Sequence, residues 1–313
     1  MPTIIDPEIA EHQSFIDMIE QADIVTVESR HHNGLEILLL RPNTKKVESV
    51  KGKIISCDTY VINKGRYKNI VVDPGYPLSL LPYCFAYLNA RFGLSGMHPI
   101  LLTHRHPDHM YGIFIRAGVG TLYMGEEDIT GVLETAANPF SLANYGTLVK
   151  HGFPIPPADP DFKTEYPLER VKSIESLASL PIQGFEELTF RRVGVHYTHH
   201  YIFSIGGYCF AGDLVSVVTL KDGKKQLVAR FDLNDSDWQK YAATNDPDIL
   251  TTGAKLQETN LDKALHDIIN DSSIHTLCLG HGGFLLKQEL VELLQTNAIK
   301  KVYPVPKLTP KVA

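Results

Sequence analysis

Apolar residues in the first third of the chain come in short, closely spaced runs rather than at helical intervals. Asp23–Glu28, Leu35–Leu40, Lys53–Ile62 and Lys68–Val72 are rich in Val, Ile and Leu, which suits strands packed on a pleated, buried surface. Asn33-Gly34 and Lys64-Gly65 separate them and predict turns. Helical spacing appears first in Leu78–Phe92, which stops at Gly93, and Pro99–Leu102 follows as another buried strand. Glu126–Ala136 and Ser141–His151 read as helical pieces. The run Pro154-Ile155-Pro156-Pro157 after them fits neither a helix nor a central strand. Strand patterns resume at Leu188–Val195, His200–Ile205 and Tyr208–Phe210. Ser236–Asn245 and Leu261–Ile269 predict helices, Ile274–Leu279 a strand and Glu289–Gln295 a helix. Strands, helices, then strands and helices again predict an α/β fold of two sheets with helices on the outside. We read residues 1–313 as one domain with a core over roughly 20–300. A helical cap is expected as an insertion at roughly 125–181, and the tail 304–313, where Pro and Lys alternate, as an extended arm.

Composition narrows the function classes. With 43% hydrophobic and 21% charged residues the chain has ordinary globular usage, which excludes disorder. Thirty basic against 36 acidic residues give a net charge of −6 with no block of like charge, an argument against a nucleic-acid groove. A small-molecule substrate is the expected partner. The longest apolar stretches, Leu35–Leu40 and Leu78–Ala90, are too short or are broken by Pro82, so no membrane span is expected. Met1–Gln13 is polar and acidic, unlike a signal peptide. The 4 cysteines are far apart without a Cys-x-x-Cys pair, so buried free thiols in a reducing cytoplasm are expected.

The candidate chemistry lies in the histidines, of which there are 14. An apolar strand ends at Thr103, and His104-Arg105-His106-Pro107-Asp108-His109 follows at once. Pro107 holds His106 extended and suits the first turn of a helix, from which Asp108 and His109 would project. His104 and His106, two apart on extended backbone, point the same way and can share one cation. Asp108 and His109 face a neighbouring position. Packing alone seldom collects such groups, because unpaired they cost desolvation energy.

This His-x-His-x-Asp-His segment resembles the signature of the metallo-β-lactamase superfamily. Other motifs resemble that family's in the same order. Val71-Val72-Asp73-Pro74-Gly75 is similar to its strand-ending Asp-x-Gly, Phe210-Ala211-Gly212-Asp213 to its Gly-Asp turn, and Leu279-Gly280-His281-Gly282 to its final Gly-His-Gly turn. The resemblance covers roughly Cys57 to Phe284 and implies an αββα sandwich. It implies His104, His106 and His196 on one divalent metal ion, Asp108, His109 and His281 on a second, and Asp213 bridging them. Asp73 then supports the metal site from behind its ligands. The third histidine is the point of departure. The family uses Pro-Gly-His, and here Val193-Gly194-Val195-His196-Tyr197-Thr198-His199-His200 offers His196, which keeps the usual interval to Asp213, or His199. His200 and Tyr197 are expected to line the pocket or stand behind the ligands.

Imidazoles and carboxylates without cysteine ligands suit a hydrolytic rather than a closed structural site. Zinc is the expected ion, and iron, manganese or cobalt suit the same ligands. The chemistry implied is attack by a metal-bridged hydroxide, with Asp108 orienting it or carrying its proton. Four branches of the family fit poorly. Zinc β-lactamases lack the bridging aspartate that Asp213 matches. Homoserine-lactone lactonases place a tyrosine where Ser216 stands. The glyoxalase II type has an aromatic and an arginine-rich segment where Leu214–Val218 stands. The tRNA-processing nucleases carry a further histidine motif not found in this chain. The expectation is an enzyme, a metal-dependent hydrolase of an ester, thioester or lactone, with a nuclease or an iron-dependent oxygenase as the alternatives.

Overall fold

In the computed structural model the described residues are 25–42, 57–65, 68–75, 98–110, 120–133, 168–197, 199–231, 243–244 and 246–303. The N-terminal strand pattern becomes an antiparallel meander. β1 (Val25–His32) and β2 (Leu35–Pro42) turn through Asn33 at φ 49° and Gly34 at φ 77°, the positive-φ pair that matches the twist of a tight hairpin. β3 (Thr59–Asn63) and β4 (Asn69–Val72) continue the meander. β5 (Ile100–Leu101), β6 (Leu122–Met124) and β7 (Val171–Ser173) then add in parallel, giving seven strands in the order β1-β2-β3-β4-β5-β6-β7. A second sheet comprises β8 (Thr189–Arg192), β9 (Tyr201–Ile205), β10 (Tyr208–Gly212), β13 (Thr276–Leu279) and β14 (Gly283–Leu286), ordered β14-β13-β10-β9-β8. β11 (Ser216–Thr219), β12 (Lys225–Arg230) and β15 (Lys300–Val302) form a third, small sheet. Among the described residues the α-helices are a single turn α1 (Pro107–Met110), α2 (Glu126–Leu133), α3 (Pro247–Asn270) and α4 (Lys287–Thr296).

Alternation sorts the side chains into two cores. Ile37, Leu39, Tyr60 and Val72 of the first sheet pack with Tyr201, Phe203, Ile205 and Phe210 of the second. On the opposite side of β9 and β10, Ile202, Cys209 and Ala211 pack with Leu261, Leu265 and Ile268 of α3 and Leu290 of α4. Burial on both faces explains why these strands read as continuous apolar runs. Leu261, Ala264, Leu265 and Ile268 recur at helical spacing and give α3 its buried stripe.

Several boundaries differ from the sequence reading. α3 starts at Pro247, capped by Asp246, well before Leu261. Its buried face begins at Ala254 and Gln257, ahead of Leu261. β7 pairs with β6 at the edge of the seven-stranded sheet, and Ile174 and Leu177 after it are buried. α2 stands where the cap's first helix is expected. Residues 134–167, with Phe140, Tyr145 and Phe153, lie outside the described residues, as do the helix at 78–92 and the tail. No helix among the described residues is long and apolar enough to cross a membrane. Cys57, Cys209 and Cys278 are free and buried.

Candidate metal centre

Four turns meet at the carboxyl ends of strands, where α/β sheets tend to place their sites. They leave β4 at Asp73, β5 at Thr103, β10 at Gly212 and β13 at Gly280. β4 runs parallel to β5, and β10 to β13. Thr103 N–H donates to Asp73 Oδ1 at 2.8 Å, and Gly280 N–H donates to the Gly212 carbonyl at 2.7 Å. Each turn therefore fixes its neighbour.

Asp73 is a non-glycine residue at φ 48°, a strain tolerated where the surroundings over-determine it. Its Oδ2 accepts from Thr103 Oγ1 at 2.7 Å and lies 2.9 Å from His109 Nδ1. That contact makes Nδ1 of His109 the protonated nitrogen and leaves Nε2 to face the site. His196 shows the same device at φ 65°. Its Nδ1 donates to the Arg230 carbonyl at 2.9 Å, which turns Nε2 inward.

The inward atoms cluster tightly. His104 Nε2 is 3.1 Å from His106 Nδ1, which is 2.8 Å from His196 Nε2. His281 Nε2 is 3.2 Å from Asp108 Oδ2. Asp213 lies between the groups, with Oδ1 3.3 Å from His109 Nε2 and Oδ2 3.3 Å from His196 Nε2 and 3.5 Å from His281 Nε2. Three sets, namely His104, His106 and His196, then His104, His109 and Asp213, then Asp108, His109 and His281, each bring ligand atoms within 4.8 Å of one another.

The fit to metal rests on buried ligand atoms that are poorly satisfied by the protein. His109 Nε2 and Asp213 Oδ1 are buried and face each other at 3.3 Å, yet neither makes a well-formed hydrogen bond, an expense that native interiors rarely accept without a ligand. Burial, with His196 beside it, holds His106 down at about 3, so it stays neutral. Burial alone would lower His281 too, but Asp213 and Asp108 outweigh it and raise it to about 10. Against its own burial, the carboxyl of Asp213 is held well below the usual range by His281 and His109. The carboxylate-rich half of the site thus holds protons where it can hold a cation.

The other sequence candidates fall into place around these groups. His199 sits away from them, 3.1 Å from Arg192 Nη2 and 3.4 Å from Glu127 Oε2. His200 is buried behind His104, and its Nδ1 donates to the Val195 carbonyl at 2.7 Å. Tyr197 lies beside His104 and His106. Its ring is 3% exposed, and its hydroxyl accepts from Arg105 Nε at 2.6 Å and donates to Asp128 Oδ1 at 3.1 Å. Sequence reasoning missed Thr103 and Asp128. An acidic residue that follows a strand and glycine, as in Met124-Gly125-Glu126-Glu127-Asp128, looks like ordinary helix-start chemistry, so nothing local marked Asp128.

No protein-family model matches this chain, and no curated protein matches it. Solved structures do resemble it. One is an archaeal metallo-β-lactamase superfamily protein from Sulfolobus tokodaii, with 13% identity over 83% of this chain and 88% of that one, and a TM-score of 0.46. Another is AidC, a dizinc quorum-quenching lactonase in complex with a product, with 14% identity over 84% and 94% of the two chains and a TM-score of 0.48. A third is a protein in a di-iron-bound form, with 18% identity over 77% and 95% and a TM-score of 0.44. At such identities the chemistry of this chain has to be read from its own residues.

Proposed function

We propose that this protein is a metal-dependent hydrolase of a small-molecule ester, thioester or lactone. The observation that carries the reading is Asp213, whose two oxygens lie within 3.5 Å of imidazoles from both halves of the site. His104, His106 and His196 would hold one divalent ion, and Asp108, His109 and His281 a second, with Asp213 touching both. Zinc suits five imidazoles and two carboxylates. Such ions supply Lewis acidity and bring the pKa of water toward neutrality. Asp108 sits beside His281 at the rim of the site, placed to orient a water or take its proton. Asp73 and the Arg230 carbonyl fix the tautomers of His109 and His196, so each presents Nε2 without rearrangement.

Elemental analysis of protein prepared without chelator should find about two divalent ions per chain, the number expected for a paired hydrolytic site. His196→Ala should lose about one of them, while His199→Ala should retain both. A single equivalent at full activity, or loss of metal in His199→Ala alone, overturns the assignment. Turnover of chromogenic esters, thioesters, lactones and phosphodiesters then selects the substrate class.

Metal uptake should also release protons. His281 holds its proton up to about pH 10 without metal, so near neutrality an entering cation must displace it. Affinity should therefore rise with pH between about 6 and 9. Calorimetric titration in buffers of different ionisation enthalpy reads the proton count. Uptake with no proton released contradicts His281 as a ligand.

A further inference from the structure

Asp58 precedes β3 in the N-terminal meander, yet its polar contacts reach the turn that carries His281. Its backbone N–H donates to the Gly280 carbonyl at 2.7 Å. Its Oδ2 accepts from Gly282 N–H at 3.1 Å and from Gly283 N–H at 2.7 Å, across 224 and 225 residues of sequence. The carboxylate is only 4% exposed. Arg41 of β2 balances its charge as a two-pronged partner, with Nε 2.7 Å from Oδ1 and Nη2 2.9 Å from Oδ2. The pairing is close enough that a Cβ on Gly283, itself at φ 74°, would overlap Arg41 Nη2.

The remaining backbone of the turn is held by other groups. Tyr60 Oη donates to the Leu279 carbonyl at 2.7 Å, Gly280 N–H to Gly212, and Val217 N–H to the His281 carbonyl at 3.3 Å. Among the described residues Asp58 is the side chain whose hydrogen bonds reach Gly282 and Gly283, and both N–H groups share one of its oxygens, while Gly283 also pairs with Leu279 at the start of β14. Gly282 stands at φ 136° and Gly283 at φ 74°, so this stretch has unusual backbone freedom and needs an outside anchor. By contrast, the turn at Asp213 is closed by its own backbone, with Leu214 N–H on the Ala211 carbonyl at 3.0 Å.

We propose that Asp58, clamped by Arg41, is a positioning residue that sets the place of His281 and so the affinity of the ion position formed by Asp108, His109 and His281. This rests on the two-ion reading above. An uncharged amide at 58 would turn a donor toward Arg41 or toward the two glycine N–H groups, so one side of the clamp must open. The His104, His106 and His196 position shares none of these contacts.

The test uses the full chain, freed of metal and titrated with zinc against a chromogenic chelator. Wild type should show two affinities. Asp58→Asn should weaken one of them about 10- to 100-fold, the range for changes behind metal ligands, and leave the other unchanged. Arg41→Gln, at a partly exposed residue, should weaken the same one by less, and serves if Asp58→Asn does not fold. In metal-free protein, histidine-selective nitrogen spectra should show the His281 signal moved or broadened while those of His104 and His196 stay. Equal weakening of both affinities, or a lowered Tm with both affinities intact, overturns the proposal. A wild type with one equivalent overturns the two-ion reading instead, and an unmoved His281 signal then still overturns the positioning role on its own.

Discussion

Asp213→Asn should cost at least about 10²-fold in kcat/KM, or roughly 2.7 kcal/mol of transition-state stabilisation. The substitution keeps the side chain's size and removes its charge. Among the described residues Asp213 alone approaches His109, His196 and His281 together, so in the proposed two-ion site its carboxylate would offset the repulsion between the cations and fix their spacing. An amide presents one oxygen and one N–H group, and the latter would face an imidazole nitrogen or a cation. One ion should therefore bind weakly, and metal content should fall together with rate. If Asp213 only closed the turn after Gly212, asparagine would serve almost as well. Metal content and rate both near wild type would decide for that simpler role.

Gly75→Ala should unfold or empty the site although residue 75 is not a ligand. A Cβ there would overlap the Asp108 carbonyl oxygen and Cys57 Sγ, and would lie 2.6 Å from the Asp108 carbonyl carbon. The obstacle is largely backbone, so no rotamer change relieves it. Either the strand-end turn at Asp73 moves or α1 moves, and α1 carries both Asp108 and His109. Overpacking of this kind costs up to about 3 kcal/mol and sometimes more. Tm of the metal-free chain should drop, and residual folded protein should bind less metal. Cys57→Ala in the same background removes only the thiol clash and should restore little. Wild-type Tm and metal content in Gly75→Ala would show that the turn and α1 can separate freely.

What the sequence could carry depended on whether a feature was local. His104 to His109 are legible because a strand end and one proline place four ligating groups within six residues. Asp73, Asp213 and His281 are legible as turn residues that recur in order. His196 is legible only as one of two choices, because nothing in Val195–His199 says which imidazole faces inward. The structure separates them by backbone conformation and surroundings: His196 at φ 65° with the Arg230 carbonyl behind it, His199 out beside Arg192 and Glu127. β11 and β12 escaped notice despite the Asp222-Gly223 turn between them, since Val218 and Thr219 are exposed and the alternation of a half-buried strand is weak there. Arg41 and Asp58 lie outside any local pattern. Their partners are chosen by sheet pairing and by a turn over 200 residues away, although an aspartate inside an apolar strand run does announce that some partner exists.

β15 gives the far end of the chain a mechanical stake in the chemistry. Lys300–Val302 pair in parallel with Val228–Arg230, and Phe231 N–H is tied to the Val302 carbonyl at 2.9 Å. The same Arg230 supplies the carbonyl that orients His196. Three residues near the carboxyl terminus thus brace, from the outside, the strand end against which an inward-facing imidazole is set. Alterations placed there would act on His196, a proposed ligand roughly a hundred positions earlier, through one pair of strands and without touching the pocket.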